Sequence, residues 1–299
     1  MAVTYKKDIV SIGLTTFNRP KHLRKAVERL LSQTYAKIEI LISDDNPESK
    51  ENYEAIKDLL DDPRLTYHKK LKNEGMNLNF SSTLAWAKGE YFMWAADDDY
   101  WELDFVQNCV NELKKNKKAA LCITSSSFIE ADYSEVGLSK EDINTMGLSE
   151  MDRFKKYFRN SQIHNVGFYG VYRTELLKMA YLPNYLSNDR LVLLELSLKG
   201  EFIQLPMKGF YYNVSGGSKS IDSYLNAMKI KSKLIKYAPH LAFNLLHVYS
   251  ILFCWSKINL VKRIILLGIY YNLIKENGYL KNSIKQIRRN WRILLNPIV

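Results

Sequence analysis

Three consecutive aspartates, Asp97, Asp98 and Asp99, follow directly on the apolar run EYFMWAA at 90–96. Like charges at contact distance raise one another's pKa, so such a triplet behind a buried strand is costly unless a cation meets it. Mg²⁺ or Mn²⁺ does so by taking one or two carboxylates and completing its shell with water and substrate phosphates. Taken alone, the triplet also fits a solvated turn leading into a helix N-terminus, where acids offset the dipole. A second acidic pair opens the turn Ser43-Asp44-Asp45-Asn46-Pro47. It suits an Asx turn, a further ligand pair, or an acceptor for a nucleobase imide N–H. A third acid, Asp189, stands in Ser187-Asn188-Asp189, which also reads as a helix cap. Neither G-x-G-x-x-G nor G-x-x-x-x-G-K-[ST] occurs, so metal and side chains would hold the phosphates of a bound nucleotide.

These acids need elements to position them, and the first 125 residues supply an alternation. Ile9–Phe17, Ile38–Ile42, Leu65–Tyr67, Glu90–Ala96 and Ala119–Ile123 are short β-rich runs. Between them, sets such as Leu23, Val27, Leu30, Leu31 and Leu103, Val106, Val110, Leu113 recur at helical spacing, with Pro20 placed to open the first helix. The alternation predicts an α/β fold with a doubly wound, mostly parallel sheet and helices on both faces. Ligands of such sheets sit outside the carboxyl ends of the strands. Three of those ends carry Thr15/Thr16, Asp44/Asp45 and Asp97–Asp99. From about Ser126 the pattern loosens into a polar stretch with a helix around Met151–Phe158, then an aromatic-rich strand region at Val166–Tyr172. A helix opening at Asn188-Asp189 and a strand pair, Phe202–Leu205 and Gly209–Val214, follow. Trp86, Trp94 and Trp101 read mainly as core, with Trp101 the one to shape a pocket.

The words TTFNRP at 15–20, SQTY at 32–35, the acidic pair after the second strand, AKGEYF at 87–92 and the aspartate triplet occur together, in order. With YLSNDRLVLLELSLKGEFIQLP near residue 200, they make roughly residues 8–214 resemble a family 2 glycosyltransferase of the GT-A fold. The resemblance implies transfer of a sugar from a nucleotide-sugar, a UDP-sugar donor, with inversion at the anomeric carbon. It implies that Thr15 and Phe17 line the nucleoside pocket, and that Asp45, with Asp44 beside it, accepts the uracil N3–H. Arg19 lies beside these residues. Asp97, Asp98 and Asp99 match the D-x-D region that holds Mn²⁺ or Mg²⁺ and the donor diphosphate, with Asp98 favoured as ligand, Asp99 next to it, and Asp97 on the donor side. Asp189 matches the general base. The chain departs from the family pattern at Ala96, where another Asp is usual, and at Asn188, where Glu is common. Lys219, after Gly216-Gly217-Ser218, suits a cation swinging onto the diphosphate or a solvated linker lysine. His164 falls on the acceptor side, where a lone histidine is more often structural.

Charge divides the chain. Of 43 basic and 32 acidic residues, thirteen basic ones lie between Tyr224 and Val299 with the single acid Glu276, so a nearly neutral body carries a basic C-terminal quarter. We read 1–218 as a catalytic unit, with a nucleotide-sugar half at 1–125 and an acceptor half at 126–218, and 219–299 as a basic helical tail. No apolar stretch in that tail reaches the ~20 residues needed to span a bilayer. In its last helix Ile284, Ile287, Trp291, Leu294 and Leu295 share one face, with Lys281, Lys285, Arg288, Arg289 and Arg292 over much of the rest. This pattern fits a helix lying on an anionic membrane surface, or one packed on the catalytic unit or on a second copy as a homo-oligomer. The neutral body argues against nucleic acid as a partner. Three cysteines and an N-terminus without a signal-like apolar stretch lead us to expect a cytoplasmic protein, peripheral on the inner face of the cell membrane.

The resemblance also implies a saccharide or lipid-linked glycan as the acceptor. Two competing readings remain. A nucleotidyltransferase would carry a Gly-rich basic loop after the first strand, where TTFNRP stands instead. A non-catalytic membrane-surface adaptor on the same fold is kept open by Ala96 and Asn188.

Overall fold

A computed structural model of the protein describes residues 4–161, 165–215, 221–255 and 258–295. Its strands are β1 (Lys6–Thr16), β2 (Ile38–Asp44), β3 (Leu65–Lys69), β4 (Gly89–Ala96), β5 (Tyr100–Trp101), β6 (Ala119–Ile129), β7 (Glu135–Leu138), β8 (Val171–Arg173) and β9 (Glu201–Asn213). Helices α1 (Pro20–Leu31), α2 (Glu51–Ile56), α3 (Met76–Trp86), α4 (Phe105–Lys115), α5 (Glu150–Asn160), α6 (Thr174–Lys178) and α7 (Asn188–Lys199) intervene. Beyond the sheet come α8 (Ile221–Ala227), α9 (Lys233–Tyr237), α10 (Pro239–Tyr249), α11 (Leu260–Glu276) and α12 (Tyr279–Leu295).

The strands form one sheet in the order β3-β2-β1-β4-β8-β6-β9-β5, with β7 also on β6. The β3-β2-β1-β4 half is parallel throughout, as the alternating pattern requires. Its register sets Thr15 beside Ser43 and Ala96, and Thr16 beside Asp44, so the three polar strand ends finish level with one another. These strands are almost continuously apolar because helices cover them: Val10, Ile12, Leu14, Ile40, Ile42, Phe92 and Trp94 are wholly buried. Helix α3 approaches β1 most closely at Gly13, where a Cβ would stand 2.2 Å from the Thr83 hydroxyl oxygen and 2.5 Å from its Cβ.

The second half departs from expectation in three places. The expected strand pair at 202–214 is the single strand β9, parallel to β6, with Pro206 and Met207 bulged out where pairing jumps from Leu205 to Lys208. Proline has no N–H for the ladder, and the bulge absorbs it. Strand β6 runs on through the polar TSSSF to Ile129, since β9 offers it partners as far as Asn213. The aromatic run from Val166 is a 3₁₀ turn, Val166–Tyr169, before the short antiparallel β8. There Phe168 lies flat on Trp94, ring centroids 4.2 Å apart, so the aromatics fill the core instead of alternating across a sheet. Trp101 is likewise buried in the core near Phe210, not in a pocket.

The basic quarter packs on the body. Trp255 meets Phe154 edge-on, Phe158 of α5 does the same to Tyr270 and Tyr279, and the Arg190 guanidinium of α7 lies over Phe158 and Phe243. Ile251, Trp255, Leu266, Tyr270 and Leu273 are therefore part of the same core as the sheet. Among the described residues no helix is long and apolar enough to cross a membrane. The side chains of Trp291, Arg292, Leu294 and Leu295 lie outside the described set.

The Gly13 contact yields a test. Gly13→Ala forces α3 off β1, and overpacking of this kind costs about 1–3 kcal/mol; a lowered midpoint in urea denaturation with an unchanged slope is the expected result.

Candidate active site

The acidic turn after β4 is held from three sides. The Thr16 hydroxyl, at the end of β1, donates to Asp97 Oδ2 at 2.6 Å. Arg19, where the chain enters α1, reaches Asp97 Oδ1 at 3.2 Å and pairs more closely with Asp98. The Asn213 N–H at the end of β9 donates to Asp99 Oδ1 at 3.0 Å. Burial, then the Asp98 charge, pushes Asp97 up to about 7 against the pull of Thr16 and Arg19. The same two causes hold Asp99 well above the usual carboxylate range. Asp99 Oδ2 is buried and has no hydrogen-bond partner among the described residues.

That orphaned oxygen fits a missing cation, because a buried carboxylate lone pair without a donor is unfavourable unless something positive meets it. Among the described residues no three acidic, histidine or cysteine side chains are grouped to hold a metal by themselves. An ion on Asp99, with Asp97 and Asp98 beside it, would thus rely on phosphate and water for the rest of its shell, as Mg²⁺ commonly does. The geometry moves the emphasis from Asp98, which Arg19 engages, to Asp99.

The second acidic pair splits. Asp45 accepts the backbone N–H of Glu74 at Oδ1 and of Gly75 at Oδ2, both at 2.8 Å, and borders the cleft. Each ionised oxygen retains a further lone pair for an incoming N–H. Gly75 is required there: its φ is +89°, and a Cβ would strike the Met228 carbonyl at 2.8 Å. Asp44, by contrast, is fully buried and accepts from Asn46 N, Asn52 Nδ2 and the Tyr67 hydroxyl. Its carboxylate is spent on the turn and on β3, so the expected ligand contact is withdrawn; the Asx-turn reading describes it.

Asp189 begins α7. Ser187 adopts a left-handed φ of 58°, which turns the chain into the helix, and Asn188 Oδ1 accepts the Asp189 N–H at 2.8 Å. Asp189 Oδ2 accepts the Asn165 Nδ2–H at 2.9 Å, and Asn165 Oδ1 accepts the Tyr157 hydroxyl at 2.6 Å. Burial raises the Asp189 pKa, while Asn165 and the Arg190 N–H and charge hold it down. The result is an ionisable carboxylate with one oxygen fixed by an amide, in the wall of the cleft.

Thr15, Phe17, Arg19, Asp45, Asp97, Asp98, Asp99 and Asp189 all line one cleft of about 890 Å³ at the carboxyl ends of β1, β2 and β4. Lys219 and His164 lie outside the described residues. Sequence reasoning missed several wall residues: Asn77 of α3, Tyr169 and Tyr212, and Tyr224 and Lys229 from beyond residue 218. No spacing in the sequence marks these: Asn77 sits at the start of α3, and the others arrive through the 3₁₀ turn, the end of β9, α8 and the residues just after it. Asn165 had a signal, a polar residue ahead of an aromatic run, but nothing to link it to Asp189.

The family model described as "Glycosyl transferase family 2" matches residues 11–179. An uncharacterized glycosyltransferase of Rickettsia bellii (strain RML369-C) is 31% identical over 107 residues, which is 36% of this chain and 15% of that protein. Protein CgeD of Bacillus subtilis (strain 168) is 31% identical over 117 residues, 37% of this chain and 27% of its own length. Chondroitin synthase of Pasteurella multocida (strain Pm70) is 29% identical over 127 residues, 42% and 13% respectively. The matches thus span about a quarter or less of these relatives. Among solved structures, S. aureus TarS 1–349 in complex with UDP-GlcNAc superposes with a TM-score of 0.66 at 15% identity, covering 93% of this chain and 79% of that one. A likeness at that identity speaks to fold: the GT-A architecture. With the family match spanning more than half of its length and taking in the acids at 44–45 and 97–99, this chain belongs to glycosyl transferase family 2.

Proposed function

We propose that the protein moves a sugar, with inversion, from a UDP-sugar to a hydroxyl of a saccharide or lipid-linked glycan. The observation that carries the reading is the meeting of Asp45, Asp97–Asp99 and Asp189 in one cleft between β1, β4 and α7. Thr15 and Phe17 wall the nucleoside, and Asp45 accepts the uracil N3–H with its remaining lone pairs. Phe17 is nearly half exposed and free to stack on a base. Arg19 and the acidic turn face the diphosphate. A divalent ion, Mn²⁺ or Mg²⁺, bound at Asp99 would offset the charge building on the leaving diphosphate. Asp189 takes the acceptor hydroxyl proton at the oxygen that Asn165 leaves open, as attack proceeds from the face opposite the diphosphate. Asn188, the departure from the family pattern, supports this role, since its amide oxygen fixes the Asp189 backbone at the start of α7. Residues 1–218 form the catalytic unit in this reading, completed by α8. The basic quarter is the part that meets the inner face of the cell membrane.

Titration calorimetry with UDP tests the donor site. Binding strengthened by Mn²⁺ in the wild type, and stripped of that metal dependence in Asp99→Ala, is the expected result; unchanged metal dependence in Asp99→Ala with its loss in Asp98→Ala would return the ligand role to Asp98. Failure of folded wild-type protein to bind UDP with or without metal would sink the uridine assignment.

Asp189→Asn should lower kcat by about 10²–10⁴ with UDP affinity unchanged, the range for a lost general base. Asn165→Ala removes a hydrogen bond to the charged carboxylate, so the Asp189 pKa rises further and the acidic limb of the pH–kcat profile moves to higher pH. A profile that drops in height without moving would count against the contact.

The raised Asp97 and Asp99 pKa values carry a stability cost. The folded state holds protons there that the unfolded chain has released, so between the ordinary carboxylate pKa and the raised ones the metal-free protein loses stability as pH rises. Asp99→Asn removes one of the charges and should raise Tm at pH 8 by about 2–4 °C, equivalent to ~1 kcal/mol, in scanning calorimetry without metal.

A further inference from the structure

Helix α11 carries its charge the wrong way round for a surface helix. Its inward face, with Leu266, Tyr270, Leu273 and Ile274, is buried against the body. Its first two cations also turn to protein: Lys262 pairs with Glu150, and Arg263 donates to the carbonyl oxygens of Ile251, Trp255 and Ile258. What faces outward is apolar. Leu260, Val261 and Ile264 are 60–69% exposed, Ile265 and Tyr271 about half, and Gly268 in their midst opens onto nothing. The segment that Arg263 ties to this helix continues the pattern, with Leu245, Tyr249 and Phe253 exposed at successive turns of α10 and the π-helical turn after it. An exposed apolar concentration of this kind marks a contact surface.

We infer that this outward face of α10 and α11 is the surface that docks on an anionic phospholipid monolayer, with the exposed cations of α11 and α12 gripping the headgroups. The inference rests on the membrane-facing reading of the basic quarter and replaces the last helix with α10–α11 as the apolar contact. Charge selects the occupant. Lys275 is exposed one turn beyond Tyr271, and Lys281, Lys285, Arg288 and Arg289 are exposed along α12. The single acid of the quarter, Glu276, is paired with Arg159. A two-fold contact with a second copy presents the same patch from both sides and so sets basic against basic. Anionic lipid supplies the opposite charge and an apolar phase for Phe253, Leu260 and Ile264, the two attractions that hold interfacial helices.

The test is co-sedimentation of the full chain with vesicles of phosphatidylcholine alone or mixed with phosphatidylglycerol, at low and high salt. Wild type should pellet with the mixed vesicles only. F253S/I264S, which changes exposed side chains, should partition about tenfold less at low salt, because interfacial binding scales with buried apolar area, while its circular dichroism and UDP affinity match wild type. K281Q/K285Q should bind less and lose part of the salt dependence. Binding by F253S/I264S equal to wild type would overturn the assigned face and leave membrane attachment to the cations alone. No vesicle binding by wild type would remove both the face and the membrane reading; a wild-type dimer that F253S/I264S converts to monomer would then assign the face to self-association. Neither result touches the sugar-transfer reading, which stands or falls on UDP binding.

Discussion

Three carboxylates crowded behind a buried parallel strand set the terms for the rest of this molecule. Ionised acids at the end of β4 have lost water on one side and gained like charges on the other, so each neighbouring element is called on for a donor. The end of β1 gives the Thr16 hydroxyl, the entry to α1 gives Arg19, and the end of β9 gives the Asn213 N–H. These are the termini of elements remote in sequence, brought level by the strand register. One oxygen of Asp99 remains unserved. A turn that leaves one buried carboxylate oxygen without a partner among the described residues, beside two like charges, holds its acids at raised pKa values and costs the fold stability.

Asp189 shows a different solution for a carboxylate in a poorly solvated place. Among the described residues no guanidinium pairs with it as Arg19 does with Asp98. Instead a neutral amide, Asn165, fixes one oxygen, and Tyr157 fixes the amide. A full ion pair would have lowered the pKa further and tied up the carboxylate, whereas a neutral donor orients it and leaves burial to raise its basicity. Asn165 itself sits at a left-handed φ of 42°, a conformation asparagine tolerates better than most residues. Asn165 thus both orients the carboxylate and moderates the rise that burial imposes on its pKa.

The parallel half of the sheet was readable because its strands are short apolar runs separated by amphipathic helices, and burial on both faces leaves that signal nowhere to hide. The acids were readable for the converse reason: charge at the end of an apolar run is conspicuous. Asp44 and Asp45 mark the limit. They are adjacent and chemically identical, and only the positions of Tyr67, Asn52 and the Glu74–Gly75 backbone decide that one is structural and the other faces the cleft. The bulge at Pro206–Met207 reads in the sequence as the break between two strands, because proline commonly ends one, and the 3₁₀ turn at Val166–Tyr169 reads as strand because its composition is strand-like. What bends them is the tertiary demand of β6 for a long partner and of Trp94 for a stacking ring.

The basic quarter was legible as charge but not as structure. Composition separated it from the body, and its packing reverses part of that separation: Trp255 and Tyr270 belong to the core of the sheet, and Tyr224 and Lys229 complete the wall of the cleft. A Cβ on Gly75 would meet the Met228 carbonyl at 2.8 Å, so the residue just after α8 packs directly on the Asp45 turn. The same chain segment that lines the cleft then runs on into α9, α10 and α11. Those helices reach α7, whose first turn carries Asp189, through direct contacts: the Arg190 guanidinium lies over the rings of Phe243 and Tyr279. The outer helices and the elements that carry the site therefore share one packed core, and what composition set apart as a tail is continuous with the body.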